Sequence, residues 1–182
     1  MPTIKEWIQE DVNDKEDRLR QIGRYYASEA EDIISGKLKP KDFFKKKKID
    51  REGSWNISWG VGTEKWLTEI LQKRNIDCEF QQKRELKIGK DIVISCKADF
   101  LFPDYLLEMK VPLRQKTEIS PYNKAQLELY WRAFEKPVYI MYFCRDDYRI
   151  FLYEPNGNYW EMIQDKIIDF HQQLLSIPKG RI

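Results

Sequence analysis

The sequence predicts a mixed α/β domain, a central mixed sheet of about five strands flanked by helices, with a helical extension at its N-terminus. Three observations predict it. Helical apolar spacing alternates with short strand-like runs in the order α, β, β, β, α, β, β, α. A helix candidate at 121–135 lies between the third and fourth strands, where it serves as a crossover. The 182 residues, 42% hydrophobic and 14% aromatic, suit one domain with a real core.

Residues 4–35 read as helix, broken near Asn13, because Ile4, Trp7 and Ile8, then Leu19, Ile22, Tyr25, Tyr26 and Ile33, fall at helical spacing. Gly36 is the expected stop. Residues 37–57 are polar, lysine-rich and irregular, with room for a short helix at 41–47. Residues 58–74 form a second helix whose buried stripe is Trp59, Trp66, Leu67, Ile70 and Leu71. Strands follow at about 78–86, 92–102 and 105–113. Ser120-Pro121 opens the next helix, with Ser as N-cap and Pro at the first helical position. Strands at about 137–144 and 148–154, a turn at Asn156-Gly157 and an amphipathic helix at 160–176 (Ile163, Ile167, Phe170, Leu174) complete the chain. Residues 1–57 are thus the extension and lysine-rich segment, and 58–182 the core, of a single domain spanning 1–182.

Charge is dense and nearly balanced, 32 Lys plus Arg against 30 Asp plus Glu, with a net charge of +2. Dense mixed charge is common in proteins from hot environments. The net charge does not mark a strongly basic nucleic-acid binder, but local patches matter more than the sum. The densest patch is Lys45, Lys46, Lys47 and Lys48, with Lys37, Lys39 and Lys41 just before it; it reads either as a solvated helix end or as a phosphate contact. Cys78, Cys96 and Cys144 are scattered and odd in number, against a disulfide framework, zinc ribbon or iron–sulfur cluster. A reducing, intracellular (cytoplasmic) location is expected, with no membrane partner, since no apolar stretch approaches the ~20 residues of a span. The N-terminal Met1-Pro2-Thr3-Ile4-Lys5 runs into charged helix and not into a signal segment. Cys96 reads as a packed thiol, His171 as an exposed or partly packed helix residue, and the six tryptophans mostly as core, with Trp55 alternatively free to stack on a base.

The informative stretch is residues 95–110. Pro103-Asp104 makes a turn centre, because Pro presets the backbone angle. A hairpin folded there sets Phe102 opposite Tyr105 and Asp99 opposite Glu108. By alternation, Ala98, Phe100, Phe102, Tyr105, Leu107, Met109 and Val111 form an apolar face expected to pack on the core. Lys97, Asp99, Glu108 and Lys110 collect on the other face, with Leu101 and Leu106 nearer the turn, within roughly 5–8 Å of one another. Two converging carboxylates are hard oxygen ligands suited to Mg²⁺ or Mn²⁺, and the Met109 carbonyl between Glu108 and Lys110 is a further ligand candidate. Such a metal polarises a scissile phosphate and acidifies a bound water. A lysine beside it positions or deprotonates that water or stabilises charge on the phosphate. The bland alternative is an acid–base pair on a solvated sheet face.

On the helix at 121–135, Gln126 and Tyr130 share one face, and Tyr122 extends the row. On the helix at 58–74, Glu64 lies at the edge of the buried stripe and Glu69 points nearly opposite, so Glu64 is the better site candidate; its alternative role is a first-turn glutamate favoured by the helix dipole.

A helix with an acidic residue, a hairpin with Asp and Glu-x-Lys, then a helix with Gln-x-x-x-Tyr resembles the RecB-like branch of the PD-(D/E)XK nuclease superfamily, which includes CRISPR-associated exonucleases and nucleases of archaeal viruses. The matching positions are Asp99, Glu108, Lys110, Gln126 and Tyr130, within about residues 58–145. The resemblance implies a restriction-endonuclease-like core, with Asp99 and Glu108 binding metal, Lys110 acting on the attacking water, and Gln126 and Tyr130 supporting the site or contacting DNA. Two departures stand out. The lone histidine, His171, is in the last helix, so Glu64 would replace the metal-binding histidine of many RecB-like members. The scattered cysteines do not hold the iron–sulfur cluster usual in the CRISPR-associated members, which fits a cluster-free, virus-like or stand-alone variant.

The function implied is Mg²⁺- or Mn²⁺-dependent hydrolysis of phosphodiester bonds in single-stranded, duplex or branched DNA during replication, repair or recombination. Lys97, Tyr122 and Lys45 to Lys48 are the candidate nucleic-acid contacts. Two alternatives stay open: a Holliday-junction or restriction-type endonuclease of the same superfamily, for which a homodimer is expected, and a non-catalytic nucleic-acid-binding protein that keeps the fold.

Overall fold

The computed structural model describes residues 20–45, 51–144 and 147–178, the first six of the second stretch in backbone only. The chain divides into two compact units, Met1–Leu19 with Lys46–Ile76, and Arg20–Lys45 with Asp77–Ile182.

In order along the chain, the elements are β1 (Arg24–Tyr26), α1 (Ala30–Ile34), α2 (Arg51–Lys73), β2 (Glu79–Ile88), β3 (Ile92–Leu101), β4 (Leu106–Lys110), α3 (Pro121–Phe134), β5 (Val138–Cys144), β6 (Asp147–Tyr153) and α4 (Gly157–Ser176), with 3₁₀ turns at Ala27–Glu29 and Pro40–Asp42. Among the described residues of the first unit, α2 is the regular element. Among the described residues, no helix is long and apolar enough to cross a membrane.

All six strands belong to one mixed sheet in the second unit, ordered β1-β3-β4-β5-β6, with β2 also paired to β3. β2 runs antiparallel to β3 along its length, from Glu79↔Leu101 to Ile88↔Ile92. A strand has two edges, so the other edge of β3 is shared by β1, parallel beside Val93 to Ser95, and β4, antiparallel beside Phe100 and Leu101. The crossover helix α3 makes β4 and β5 parallel, in register from Leu106↔Val138 to Lys110↔Tyr142. Helices α1, α3 and α4 share one core with the sheet, built on Tyr25, Ile33, Ile94, Cys96, Leu127, Ile140, Ile163 and Phe170.

The sequence reading of 4–35 as helix is corrected where the structure describes it; residues 4–19 lie outside the described residues. Residues 24–26 form a strand. The apolar spacing of Tyr25 and Ile33 fits a helix, but pairing with β3 buries Tyr25 to 1% exposure, where its hydroxyl meets His171 Nδ1 at 2.8 Å. Tertiary pairing overrides a local pattern here. His171 is accordingly buried, not surface-facing. Gly36 follows the end of α1 with φ +71, the left-handed stop its type favours. Of the expected short helix at 41–47, residues 46 and 47 lie outside the described residues, and the described part holds only the turn at Pro40–Asp42; residues 51–57, read as irregular, belong to α2. On α2, Trp59 and Trp66 are about half exposed instead of forming a buried stripe.

Gly23 introduces β1 at φ +87, and a Cβ there would stand 2.5 Å from the Asp91 carbonyl oxygen. Its own carbonyl accepts from the Val93 N–H at 2.7 Å. Gly23→Ala is therefore expected to lower stability by about 2 kcal/mol or more, read by urea unfolding, since both the backbone angle and the close approach demand glycine.

Candidate active site

The β3–β4 hairpin folds where Pro103-Asp104 predicts. The Phe102 N–H donates to the Tyr105 carbonyl at 2.9 Å, and the two rings stack at 4.4 Å. Lys136 Nζ donates to the carbonyls of Phe102 (3.1 Å) and Pro103, pinning the turn. The pairs Phe100↔Leu107 and Leu101↔Leu106 give the expected register.

Simple alternation fails one residue further on. Gln81 has φ +55, and the β2–β3 ladder steps from Phe80↔Phe100 to Gln82↔Ala98 without pairing Gln81 to Asp99. A left-handed residue rotates the faces of a strand. Ala98 accordingly joins the main core with Leu101 and Leu106, while Phe100, Leu107 and Met109 are buried outside that cluster. The expected grouping of Ala98 with Phe100, Leu107 and Met109 is thereby corrected. Glu108, expected on the face opposite the apolar one, is 2% exposed on the side from which α3 approaches.

The structure brings Asp99, Glu108, Lys110, Gln126 and Tyr130 together. Glu108 Oε1 accepts from Lys110 Nζ at 2.6 Å and from Gln126 Nε2 at 2.9 Å. Gln126 Nε2 also donates to the Tyr130 hydroxyl at 2.7 Å, and that hydroxyl donates to the Lys97 carbonyl at 2.6 Å. The four-residue spacing of Gln126 and Tyr130 on α3 makes this chain possible. Ser120 and Pro121 start α3, and the Tyr142 hydroxyl anchors that start by accepting from the Ser120 N–H (2.9 Å) and Asn123 Nδ2 (2.8 Å). Asp99 Oδ2 accepts from the Met109 N–H at 2.9 Å, so the acid replaces a ladder bond. Lys110 keeps about one third of its side chain exposed, which opens the group to solvent.

Electrostatics follow from this burial. Desolvation, reinforced by the charge and contact of Asp99 and only partly offset by Lys110, pushes Glu108 up to about 8. Burial alone would lower Lys110, but the charges of Glu108 and Asp99 outweigh it and hold the ammonium above its ordinary value. Burial, with Glu108 and Asp99 adding to it, keeps Tyr130 well above the usual phenol range, a donor at any physiological pH.

Glu108 Oε2 is buried and receives no donor, and its acidic neighbour is Asp99. An acid pair with an orphaned buried oxygen calls for a proton or a cation. Mg²⁺ and Mn²⁺ fit that donor set, since such ions use one or two carboxylates and complete their shell with water and phosphate. Among the described residues no group of three or more His, Cys, Asp or Glu side chains converges. The protein's donors would then be Glu108 and Asp99, with the Met109 carbonyl between Glu108 and Lys110.

Each remaining sequence candidate is placed within its own element. Glu64 is on α2 in the first unit, where its carbonyl accepts from Thr68 Oγ1 at 2.9 Å. Tyr122, about half exposed on α3, donates to Asp32 Oδ1 at 3.0 Å, with Lys37 Nζ 5.6 Å from its ring centre. Lys97 is opposite Lys83 in the β2–β3 ladder. Lys45 pairs with Asp42 at 2.6 Å, and Lys46, Lys47 and Lys48 lie outside the described residues. Gln81, which sequence reasoning missed, donates Nε2 to Asp99 Oδ1 at 3.4 Å. The signal for it was available: a hairpin turning at Gly89-Lys90 sets Ile88 against Ile92, and counting back sets Gln81 against Asp99.

No family model and no curated protein matches the chain. Solved structures do. The crystal structure of SSO0001 is similar over 98% of this chain and 89% of its own, with a TM-score of 0.71 at 15% identity. An alkaline exonuclease from Laribacter hongkongensis, LHK-Exo, is similar over 85% and 89%, with a TM-score of 0.59 at 12% identity. The same enzyme in complex with dAMP gives a TM-score of 0.61 over the same shares. The sheet and helices that hold Asp99, Glu108 and Lys110 are therefore arranged in a fold that this chain shares with an exonuclease.

Proposed function

We propose that the protein is a metal-dependent DNA nuclease of the PD-(D/E)XK superfamily, RecB-like, which hydrolyses phosphodiester bonds with Mg²⁺ or Mn²⁺ at Asp99 and Glu108. One observation carries the reading: a buried glutamate with an orphaned oxygen, set against a second acid and tied to a lysine that reaches solvent. A satisfied structural carboxylate looks different. Glu128, fully buried on α3, has both oxygens filled by Arg132, Tyr153 and the Asn156 N–H. The fold shared with LHK-Exo, an enzyme that is also known bound to dAMP, agrees with a nucleic-acid substrate.

A divalent ion in this position would supply an acidified water and charge neutralisation at the scissile phosphate. The chain's own groups do the rest. Asp99 and Glu108 present oxygens held in place by the Met109 N–H, Gln126 and Lys110. Lys110, a charged donor in this structure, is placed to orient the attacking water and to stabilise charge on the phosphate oxygens. Lys97, Tyr122, Lys45 to Lys48 and Glu64 are proposed to serve the nucleic-acid path or the site from their own positions.

The test is Mn²⁺-dependent digestion of end-labelled single-stranded, duplex and branched DNA. Cleavage of at least one of these is expected, abolished by chelator. No cleavage of any substrate at any Mn²⁺ concentration contradicts the reading. A supporting residue has its own signature: Gln126→Leu removes the donor that fixes Glu108 Oε1. It is expected to weaken Mn²⁺ affinity about tenfold, measured by calorimetry, because groups that hold a ligand are worth that much.

A further inference from the structure

We propose that Gln81 is a positioning residue for Asp99, its left-handed backbone turning a side-chain amide onto the carboxylate that would bind the cation. The inference rests on the metal-dependent reading above. It stands on three observations. Gln81 is the one residue within the described β-strands with positive φ, +55 at the third position of β2. A non-glycine residue pays for that conformation, and such costs persist where surrounding structure or function demands them. The ladder is interrupted at Gln81 and Asp99 alone among the positions from 79 to 88 and 92 to 101, then resumes in unchanged register. Gln81 Nε2 donates toward Asp99 Oδ1 at 3.4 Å, while Asp99 Oδ2 accepts from the Met109 N–H at 2.9 Å.

Together these hold the carboxylate from both oxygens. The backbone amide of β4 fixes Oδ2, and the amide of β2 steadies Oδ1. An ordinary extended residue at 81 would restore the ladder bond between positions 81 and 99. The side-chain amide at 81 would then no longer be turned onto the Asp99 carboxylate. The carboxylate has about four lone-pair sites, so two donors still leave room for a cation.

The experiment uses the full chain and Mn²⁺ alone as probe. Mn²⁺ binding is measured by calorimetry for wild type, Gln81→Gly and Gln81→Asn, with unfolding followed in parallel. Gln81→Gly tolerates the backbone angle but removes the amide, and Gln81→Asn tolerates it while drawing the amide back. Both are expected to remain folded and to bind Mn²⁺ 10-fold to 100-fold more weakly, the range seen when a residue that orients a metal ligand is lost. If the folded variants bind Mn²⁺ as tightly as wild type, the positioning role is overturned while the nuclease reading stands. If wild type itself binds no Mn²⁺, both are overturned.

Discussion

Glu108→Gln is expected to abolish Mn²⁺-dependent cleavage and, in the same protein, to remove a pH dependence of stability. Glu108 is 2% exposed and its carboxyl is pushed up to about 8 by burial and by Asp99. In the unfolded chain the same group titrates near 4.5. Between those values the folded protein holds a proton that the unfolded chain has released. Stability of the metal-free protein therefore falls as pH rises through that window, at up to about 1.4 kcal/mol per pH unit, and levels off above it. Gln cannot ionise, so the variant should lack this slope and be more stable than wild type at pH 8 to 9, by about 1–3 kcal/mol at order of magnitude. Urea unfolding between pH 5 and 9 checks it. Equal slopes in wild type and variant would show that Glu108 is not the group concerned. Gln keeps the shape and one acceptor for Gln126 and Lys110, so lost cleavage in a folded variant reports the missing carboxylate charge.

Lys110→Met is expected to separate catalysis from metal binding. The ammonium donates to Glu108 Oε1 at 2.6 Å, and the two acids hold its charge. Removing a cation aimed at developing phosphate charge should slow cleavage by about 10²–10³-fold. Once Glu108 is ionised, Mn²⁺ affinity should not fall with it, because a positive neighbour competes with a metal ion for the same oxygens. At pH 7, Glu108 loses its main charge partner and should retain its proton to still higher pH, shifting metal binding toward alkaline conditions. Metal titrations at pH 7 and 8.5, beside single-turnover cleavage, measure both effects. A variant that cuts at the wild-type rate would remove Lys110 from the chemistry.

Much of this arrangement was legible in the sequence, where local chemistry and tertiary packing agree. Pro103-Asp104 fixed the hairpin register because proline restricts the turn, and Ser120-Pro121 marked the start of α3 for the same kind of reason. The spacing of Gln126 and Tyr130 put both on Glu108's side of α3. Where the reading went astray, a long-range contact decided the outcome. Residues 24–26 have a helical apolar pattern, yet a parallel partner in β3 makes them a strand. Gln81 carries no residue-type signal for a left-handed backbone, so the shift of faces at Asp99 could not be read from alternation. Glu108 is enclosed because it shares the Leu106 face of β4, and that face packs toward α3. His171 reads as exposed or only partly packed because the partner that buries it, Tyr25, lies 146 positions away.

The central claim is that Asp99 and Glu108 form a cation site that a proton occupies when no metal does. Calorimetric titration of Mn²⁺ into the protein at pH 7, repeated in two buffers of different ionisation enthalpy, tests it directly. Binding with release of close to one proton in wild type, and loss of both the tight binding and the proton in Glu108→Gln, is the result expected. Binding of equal strength in wild type and Glu108→Gln, with no proton released in either, would contradict it.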